Sequence, residues 1–279
     1  INVNDYVTSE KKNKKIKIGY FSAEFRSHAM GYLMNRIYDL HDRSTFELYG
    51  FYFGPAINHK DKLQKKIIDS FDRFIDVSQF KDTEICKLSK EIGIDIGIDL
   101  MGHTGGNTNR FTIFQKKIAP IQICFLGFPC TTGSKSIDYL IADKIVIPKK
   151  FQKFYTEKII YLPDVYQPNE ELKKLANHFE NKKNVGLPEG KFIFCNFNGH
   201  QKINLKIFET WMRILKNKQN SILWLLKDNE FSENNLKKLA DSFGIDPKRL
   251  IFAKKLEIDQ HLSRLKFADI FLDTYPYGA

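Results

Sequence analysis

Apolar runs of strand length alternate with segments whose apolar residues recur at helical spacing, which is the pattern of an α/β protein. The run at 94–101 is nearly continuous rather than alternating, as expected for a parallel strand buried on both faces. The other predicted strands of the first half are residues 15–22, 46–53, 74–76, 121–126 and 139–142, and its predicted helices are 30–40, 62–71 and 83–92. We predict a first lobe of five or six strands.

A segment rich in Pro, Asn, Lys and Glu, with few core residues, separates this first half from a second one. The second half contains strands predicted at 191–197, 221–226, 249–253 and 270–272, which alternate with helices predicted at 203–215, 232–243 and 258–267. We expect two parallel sheets that face a cleft. The predicted organisation is a flexible basic lead-in at 1–14, a first lobe at 15–162, a linker at 163–189 and a second lobe at 190–279.

The charge of the chain favours anionic partners. Its 279 residues include 44 Lys and Arg against 33 Asp and Glu, a net charge of +11, which suits a nucleotide, a phosphate, a nucleic acid or an acidic surface. The positive excess is diffuse apart from the run at 11–15, and no basic motif interleaved with aromatic residues is present. We therefore expect solvated lysines rather than a dedicated nucleic-acid interface.

The four cysteines, Cys86, Cys124, Cys130 and Cys195, lie in apolar surroundings without CxxC spacing. This arrangement predicts neither a zinc site nor a disulfide framework and indicates a reduced, cytoplasmic protein. No apolar run approaches the roughly 20 residues of a membrane helix, so no membrane partner is expected. Because the sequence has neither an initiator Met nor a signal peptide, we expect it to be a piece of something longer.

Polar residues that could carry chemistry follow the first strand. Glu24 and His28 are four residues apart and could act as a proton acceptor with its orienting partner, or hold a substrate hydroxyl between them. The structural alternative is that Ser27 caps the next helix and His28 only occupies the first turn of that helix, without a role in catalysis. The sequence alone leaves both interpretations open.

Two further loops of the first lobe are rich in glycine and hydroxyl groups. His103 and Thr104 lie among the glycines that follow the run at 94–101, and Gly127, Pro129 and Thr131 follow the next strand. Glycine lets a backbone approach a ligand closely, and the exposed amides of such turns can bind anions. Ligands of parallel α/β sheets bind at the carboxyl ends of the strands, so three such loops in succession indicate a site.

In the second lobe, the loop at 196–203 joins a buried strand to an amphipathic helix. Lys202 lies at or near the predicted start of that helix, where backbone N–H groups also favour an anion such as a pyrophosphate. His261 and Arg264 share one face of a later helix and could add a hydrogen bond and a positive charge. The alternatives are an ordinary polar loop and an ordinary surface face.

Together these segments resemble the catalytic region of the O-linked N-acetylglucosamine transferases, the family that includes the plant SPINDLY proteins and bacterial relatives fused to tetratricopeptide repeats. The resemblance runs from about residue 16 to residue 274. It rests on residues 19–25, 28, 99–104, 119–122, 126–129, 131, 133, 138–139, 155, 157–158, 186–188, 195–198, 202–203, 223–226 and 268–274. So many ordered matches make coincidence implausible.

The resemblance implies a GT-B architecture, in which two Rossmann-like lobes with parallel sheets face a cleft. The first lobe would be the acceptor side and the second, here incomplete, would bind the nucleotide. The implied reaction is the transfer of N-acetylglucosamine from UDP-N-acetylglucosamine to Ser or Thr hydroxyls of a protein, with inversion and without a metal or other cofactor. Tetratricopeptide repeats are expected upstream.

The resemblance also implies roles for individual residues. His28 matches a histidine that lies against the reacting sugar and the acceptor, and Glu24 matches an acidic position once proposed as the base. Lys202 matches the lysine that holds the donor phosphates, with His261 and Arg264 at the uridine end. The remaining expected donor-site residues are Asn198, Gln201, Gly127, Pro129 and Thr131, and those of the acceptor side are His103 and Thr104.

Departures from the family pattern bear on these expectations. Glu24 stands where many members have Asp, so the base is left open and the α-phosphate itself could accept the hydroxyl proton. Gln201 replaces a common tyrosine and Ile258 replaces a lysine. The family continues past residue 274 into a Gly-His-Thr-Thr loop, so we expect this truncated piece to be inactive alone. The rival hypothesis is a non-catalytic binding or scaffold module, either a pseudoenzyme or a basic nucleic-acid-binding surface on the same fold.

Overall fold

The computed structural model describes residues 14–170 and 177–278, and the chain divides into two compact units, residues 1–172 and 173–279. The predicted lead-in at 1–14 lies outside the described residues except for Lys14, and the predicted linker includes the undescribed residues 171–176. The predicted domain boundaries stay a prediction. Within the described ranges, no helix combines the length and the apolar character that crossing a membrane requires.

The first unit is built on parallel strands connected by helices. Its strands are β1 (Ile16–Ser22), β2 (Phe46–Tyr52), β3 (Arg73–Asp76), β4 (Ile96–Asp99), β5 (Ile121–Cys124), β6 (Tyr139–Ala142) and β7 (Lys158–Tyr161). Its helices are α1 (Ala29–Leu40), α2 (Lys62–Asp69), α3 (Asp82–Ile92) and the single turn α4 (Thr112–Gln115). The strands form one seven-stranded sheet in the order β3-β2-β1-β4-β5-β6-β7.

The apolar run of β1 explains its central place in this sheet. Alternate side chains point to opposite faces, so Phe21 packs in the core on one face while Ile18 and Tyr20 pack on the other. Phe21 also stacks on Phe51 of β2, with the ring centroids 4.3 Å apart. A strand covered on both faces needs the nearly continuous hydrophobicity that the sequence shows.

The parallel register brings the carboxyl ends of the central strands to one edge. Asp99, the last residue of β4, pairs with Phe21 of β1 on one side and with Cys124, the last residue of β5, on the other. The loops that follow β1, β4 and β5 are therefore neighbours, as predicted. The predicted strand count of five or six is too low, because the edge strand β7, whose residues are exposed or only half-buried, was not recognised.

The second unit has the predicted alternation of strands and helices. Its strands are β8 (Phe192–Asn196), β9 (Ser221–Leu226), β10 (Leu250–Ala253) and β11 (Ile270–Phe271), which form a parallel sheet in the order β10-β9-β8-β11. Its helices are α5 (Leu205–Asn217), α6 (Glu230–Ser242) and α7 (Ile258–Arg264). Trp211 and Trp224 are fully buried in its core.

The start of α5 differs from the prediction. A 3-10 turn, His200–Lys202, comes first, and α5 begins at Leu205 after the cap residue Asn204. The Asn204 side chain accepts a hydrogen bond from the Ile207 N–H at 3.0 Å, which satisfies one of the free donors of the first turn. Lys202 therefore lies in this 3-10 turn, close to the start of α5.

Candidate active site

In the first unit, three neighbouring loops at the carboxyl edge of the sheet contact one another. Ser22, the last residue of β1, contacts the loop after β4, with its Oγ 3.6 Å from Met101 Sδ, and accepts from the Glu24 N–H of its own loop at 2.9 Å. The loops after β4 and β5 are packed so closely that a Cβ on Gly102 would come within 2.4 Å of Phe128 Cβ. The predicted clustering of these three loops is confirmed, and their geometry is fixed by mutual packing.

Glu24 and His28 lie close together after β1, but they do not share a hydrogen bond. Glu24 is buried, and its Oε2 atom lies 2.5 Å from Arg26 Nη2 and 3.7 Å from His28 Nδ1. Arg26 is thus the nearest charge partner of Glu24. The group nearest to the Glu24 carboxylate is therefore a guanidinium rather than the imidazole of His28, and the carboxylate is engaged within its own loop.

His28 is the N-cap of α1, with Nδ1 accepting a hydrogen bond from the Met30 N–H at 3.3 Å. The structural alternative that assigned the cap to Ser27 is wrong, since the Ser27 hydroxyl instead donates to Asp61 Oδ1 at 2.7 Å. Because Nδ1 accepts, the neutral ring carries its proton on Nε2. The half-exposed His28 side chain therefore combines a structural role with an Nε2–H that has no hydrogen bond among the described residues.

The loop after β4 is shaped by Asp99, whose side chain is 1% exposed. Its Oδ1 atom accepts hydrogen bonds from the backbone N–H groups of Met101, at 2.8 Å, and Gly102, at 3.0 Å. The Oδ2 atom is buried and has no hydrogen-bond partner among the described residues. Burial raises the pKa of Asp99 to about 6, although the two hydrogen bonds and nearby His103 act in the opposite direction.

His103 and Thr104, the predicted acceptor-side residues, follow on the same loop. The His103 Nε2–H donates to the carbonyl oxygen of Thr132 at 2.8 Å, and its ring packs against Phe111 and Phe128. The exposed Thr104 donates its hydroxyl to the Met101 carbonyl at 2.6 Å. The orientation of the His103 ring is therefore fixed by a residue of the next loop, Thr132.

The loop after β5 contains Gly127, Pro129 and Thr131, and its glycine serves a purpose other than the expected approach to a ligand. A Cβ on Gly127 would lie 1.8 Å from the Leu100 carbonyl oxygen, so the absence of a side chain lets the loop after β5 pack against the loop after β4. The preceding Leu126 has φ of 67°, a left-handed conformation that is rare for a branched side chain. Pro129 is exposed at the surface of the same loop.

Sequence reasoning missed a role for Glu157, which anchors this loop. Its carboxylate is 3% exposed and accepts hydrogen bonds from the Thr131 hydroxyl and the Thr132 N–H, each at 2.7 Å, and from the Thr132 hydroxyl. Burial acts to raise the pKa of Glu157, but the hydrogen bonds from Thr132 and Thr131 outweigh it and hold that pKa below its usual range. No local pattern links Thr132 to a residue 25 positions further along the chain.

In the second unit, the loop after β8 is held against the segment that follows β11. Asn198 Nδ2 donates to Thr274 Oγ1 at 2.8 Å, and Lys202 Nζ donates to the Gly278 carbonyl at 2.8 Å. The same ammonium lies 5.2 Å from the centroid of the Tyr277 ring. These partners beyond β11 were not predicted, because only the pairing of β8 with β11 brings them together.

Two polar side chains, His200 and Gln201, lie between Asn198 and Lys202, and they differ in whether they can contact a ligand. His200 is satisfied internally, with Nδ1 2.8 Å from Ser232 Oγ and Nε2 2.7 Å from the Leu226 carbonyl. Gln201, a predicted donor-site residue, is exposed on the surface of the 3-10 turn. His200 therefore holds the loop in place, while Gln201 is free to contact a ligand.

His261 and Arg264 do not form the ordinary surface face of the alternative interpretation. Arg264 is 2% exposed, donates to His261 Nδ1 at 2.8 Å and to the Lys254 carbonyl at 2.6 Å, and lies over Phe197. Burial and the positive charge of Arg264 lower the pKa of His261. The neutral ring therefore carries its proton on Nε2. The buried Arg264 orients the His261 ring through Nδ1 and is not itself exposed to a ligand.

The described residues contain no group of three or more His, Cys, Asp or Glu side chains that could hold a metal ion. Metal independence nonetheless stays a prediction. The four cysteines are free thiols, three of them buried and Cys130 exposed.

Comparison with known proteins assigns the chain to a family. A model of glycosyl transferase family 41 matches residues 3–185 and 169–277. The chain belongs to this family. Its resemblance to the O-linked N-acetylglucosamine transferases is thereby confirmed.

Two relatives illustrate the extent of the similarity. The Arabidopsis thaliana protein named probable UDP-N-acetylglucosamine–peptide N-acetylglucosaminyltransferase SEC is 35% identical over 266 residues, which cover 94% of this chain and 27% of that protein. The Caenorhabditis elegans UDP-N-acetylglucosamine–peptide N-acetylglucosaminyltransferase is 24% identical, with 95% of this chain and 32% of that protein covered. The family 41 chain thus spans about a third or less of these relatives.

Solved structures agree on the fold class. The O-GlcNAc transferase of Thermobaculum terrenum, solved as a mutant, matches with a TM-score of 0.83 and 28% identity over 96% of this chain and 50% of that one. The galactosyltransferase WaaB matches with a TM-score of 0.51 and 13% identity over 91% of this chain and 72% of that one, which is a similarity of fold alone. The predicted GT-B class, α/β with parallel sheets, is confirmed.

Proposed function

We propose that this family 41 chain is the catalytic region of an enzyme that transfers N-acetylglucosamine from UDP-N-acetylglucosamine to Ser or Thr hydroxyls of proteins. Inversion at the sugar carbon and independence from metals are part of the proposal. The observation that carries it is the grouping of Asn198, Lys202 and His261 around the loop after β8, at the carboxyl edge of a parallel sheet. The names of the relatives point to the same donor and acceptor.

In the proposed donor site of the second unit, different residues bind the diphosphate and the uridine. The Lys202 ammonium has three N–H donors and gives one to the Gly278 carbonyl, so two remain for phosphate oxygens. When the bond between sugar and phosphate breaks, negative charge develops on the diphosphate, and a positioned cation stabilises it. His261, with its neutral ring and outward N–H, would bind a carbonyl or hydroxyl at the uridine end.

The proposed acceptor chemistry in the first unit does not use Glu24 as the base, because Arg26 is its partner. The hydroxyl oxygen of Ser or Thr forms a bond to the sugar carbon from the face opposite the leaving UDP. The bond between that carbon and the phosphate oxygen breaks, and the hydroxyl proton passes to a phosphate oxygen of the donor. His28 donates its Nε2–H to hold the reacting groups, and His103 and Thr104 lie on the neighbouring loop.

Partners and surroundings follow from the same proposal. A protein acceptor, tetratricopeptide repeats upstream of this chain and a cytoplasmic location are expected for such an enzyme. A nucleic-acid partner is not expected, since the net charge of +11 is spread over the chain rather than gathered in one motif. The sugar specificity rests on the relatives' names, because one or two contacts can change it.

UDP titration by calorimetry on the natural full-length protein tests the donor site. Lys202→Ala removes a charge-assisted hydrogen bond of about 1.5 to 3 kcal/mol, so the dissociation constant for UDP should rise roughly 10- to 100-fold. Lys206→Ala is the matched control, because Lys206 is an exposed lysine of the adjacent helix α5 and its loss should leave UDP binding unchanged.

Three results would count against the proposal. Equal affinity for UDP in wild type and Lys202→Ala would remove the phosphate assignment. Transfer activity that is lost in EDTA and restored by a divalent cation would contradict metal independence. Salt-sensitive binding to random-sequence RNA together with no binding of UDP would favour the basic scaffold instead.

A further inference from the structure

The imidazole of His103 is held in one orientation by groups of a different loop. Its Nε2 lies 2.8 Å from the Thr132 carbonyl oxygen, and a carbonyl oxygen can only accept, so Nε2 carries a proton. Phe111 and Phe128 contact the ring at centroid distances of 4.6 and 5.2 Å. A neutral His103 in this arrangement has its lone pair on Nδ1, for which no hydrogen bond occurs among the described residues.

The position of that carbonyl depends in turn on Glu157. Three donors of the segment Thr131 and Thr132 converge on its carboxylate, and Glu157 lies just before strand β7 of the rigid sheet. The Thr131 hydroxyl oxygen also accepts from the Gly133 N–H at 3.1 Å, so the turn that contains the Thr132 carbonyl is held on both sides. Among the described residues, the hydrogen bonds that link Glu157 to His103 run through Thr132.

We propose that Glu157 is a positioning residue, which holds the Thr132 carbonyl in place and thereby keeps the proton of His103 on Nε2. The Nδ1 lone pair is then available to orient the acceptor hydroxyl before the hydroxyl proton passes to the donor phosphate. The inference rests on the proposed function, since it assigns His103 to the acceptor. Glu157 itself does not touch a substrate. It acts through a chain of two hydrogen-bonded steps, from its carboxylate to Thr132 and from Thr132 to His103.

The physical reason lies in the two nitrogens of a neutral imidazole, of which one donates and one accepts. The Thr132 carbonyl selects the tautomer that donates from Nε2, as the partner of a histidine commonly does. If the carbonyl moves away, the proton can shift to Nδ1, and the ring can no longer accept a hydrogen bond from a hydroxyl on that side. A displacement of about 1 Å in such a group can reduce a rate roughly 100-fold.

Glu157→Gln in the natural full-length protein tests this chain of contacts. The amide has the shape of the carboxylate but lacks its charge and replaces one acceptor with a donor, so it cannot accept from all three donors of Thr131 and Thr132. We expect kcat to fall about 10- to 100-fold with the affinity for UDP unchanged. In protein labelled with ¹⁵N-histidine at about pH 8.5, where an ordinary histidine is neutral, the His103 signal should shift from the Nε2–H tautomer towards the Nδ1–H tautomer.

Asp143→Asn is the matched control, because Asp143 is also a buried carboxylate that accepts three backbone hydrogen bonds, from Ile145, Val146 and Tyr166. It follows the neighbouring strand β6, and its hydrogen bonds among the described residues go to Ile145, Val146 and Tyr166 rather than to the His103 loop. This variant should lose stability while the tautomer of His103 and the kcat of the folded protein stay as in wild type. The His103 signal is assigned by its absence in His103→Gln.

The outcomes separate this inference from the proposed function. An unchanged tautomer and unchanged kcat in Glu157→Gln would overturn the positioning role. A wild-type protein without transferase activity would contradict the proposed function, while the tautomer shift would still report the contact between the loops. If Glu157→Gln does not fold, Thr132→Val removes only the hydroxyl donor of that residue, and a smaller shift of the same kind is expected; its absence would overturn the inference.

Discussion

The protonation of the Asp99 carboxyl group differs between the folded and the unfolded protein, because folding buries it. One of its oxygens is occupied by two backbone N–H groups, while the other is buried without a hydrogen bond among the described residues. Desolvation therefore outweighs the two hydrogen bonds and raises the pKa to about 6, against about 3.9 for an ordinary aspartate. A group with a raised pKa in the folded state binds a proton more tightly there than in the unfolded chain.

This difference predicts that stability falls as pH rises from about 4 to about 7. Below the unfolded pKa, Asp99 is protonated in both states and its contribution is fully present, and that contribution is lost as pH rises through the folded pKa of about 6. Two pKa units correspond to about 3 kcal/mol. In urea denaturation followed by circular dichroism, Asp99→Asn should abolish this part of the pH dependence, because the amide cannot ionise.

Asp143→Asn serves again as the control. Hydrogen bonds from Val146 and Tyr166 lower the pKa of Asp143, so its contribution is present above about pH 4 and lost only as pH falls further. The control variant should therefore leave the slope between pH 4 and 7 unchanged. A wild-type slope that survives in Asp99→Asn would show that another group causes it.

At the scale of elements, helix α1 connects the fold directly to the site, because its N-cap is the candidate catalytic residue His28. The same nitrogen that caps the helix fixes the tautomer, so the N–H that could hold the reacting groups is defined by the start of the helix. Most helices are capped by Ser, Thr, Asp or Asn, and these residues cap better than an imidazole does. A histidine at this position therefore indicates a requirement other than stability.

Two substitutions separate these roles of His28. His28→Asn supplies a good N-cap without an imidazole, so we expect unfolding to be unchanged within about 0.5 kcal/mol and transfer activity of the full-length protein to fall about 100-fold or more. His28→Ala should lose the same activity and, in addition, about 1 kcal/mol of stability. Full activity in His28→Asn would show that the histidine is only a cap.

The central elements could be predicted from the sequence, but several ends and one edge could not. The buried strands β1, β2 and β9 lie within a residue or two of their predicted bounds, because strands covered on both faces need continuous apolar runs. Strand β4 is shorter than the run at 94–101, since Leu100 and Met101 are buried in the loop that follows rather than in the strand. Edge strand β7 has only four residues and escaped recognition.

The partners of the site residues were harder to predict than the residues themselves. The loops with His28, His103 and Lys202 follow strands and could be recognised by that position. Their supports come from distant parts of the chain: Glu157 holds Thr131 from 26 residues away, and Gly278 accepts from Lys202 across 76 residues. Such contacts depend on strand order and register, which a single sequence does not specify.

At the scale of the whole molecule, the two units offer different chemistry. The candidate groups of the first unit are held by contacts within that unit, since Glu24 pairs with Arg26, His28 caps α1 and His103 donates to the Thr132 carbonyl. The candidate groups of the second unit are cationic donors, led by Lys202, with Arg264 behind His261. The proposed transfer assigns the anionic leaving group to the second unit and the acceptor hydroxyl to the first.

The division predicts where a nucleotide will protect the backbone from hydrogen exchange. Anything that binds only the folded state stabilises it, by about 2.7 kcal/mol at 100 times the dissociation constant, and the residues in contact are protected most. In the natural full-length protein, UDP should slow exchange in the segments 197–203 and 255–264, while β2 and β3 of the first unit stay unchanged.

Uridine without phosphates distinguishes the two ends of that site. Because Lys202 is assigned to the diphosphate and His261 to the nucleoside, uridine at saturating concentration should protect 255–264 but give little protection at 200–203. Lys202→Ala should reduce the protection by UDP at 200–203 and leave the protection by uridine as it is. Equal protection of both segments by uridine and by UDP would mean that protection at 200–203 does not depend on the phosphates. Lys202 would then not be the phosphate-binding residue, and another cation of the second unit would have to take that role.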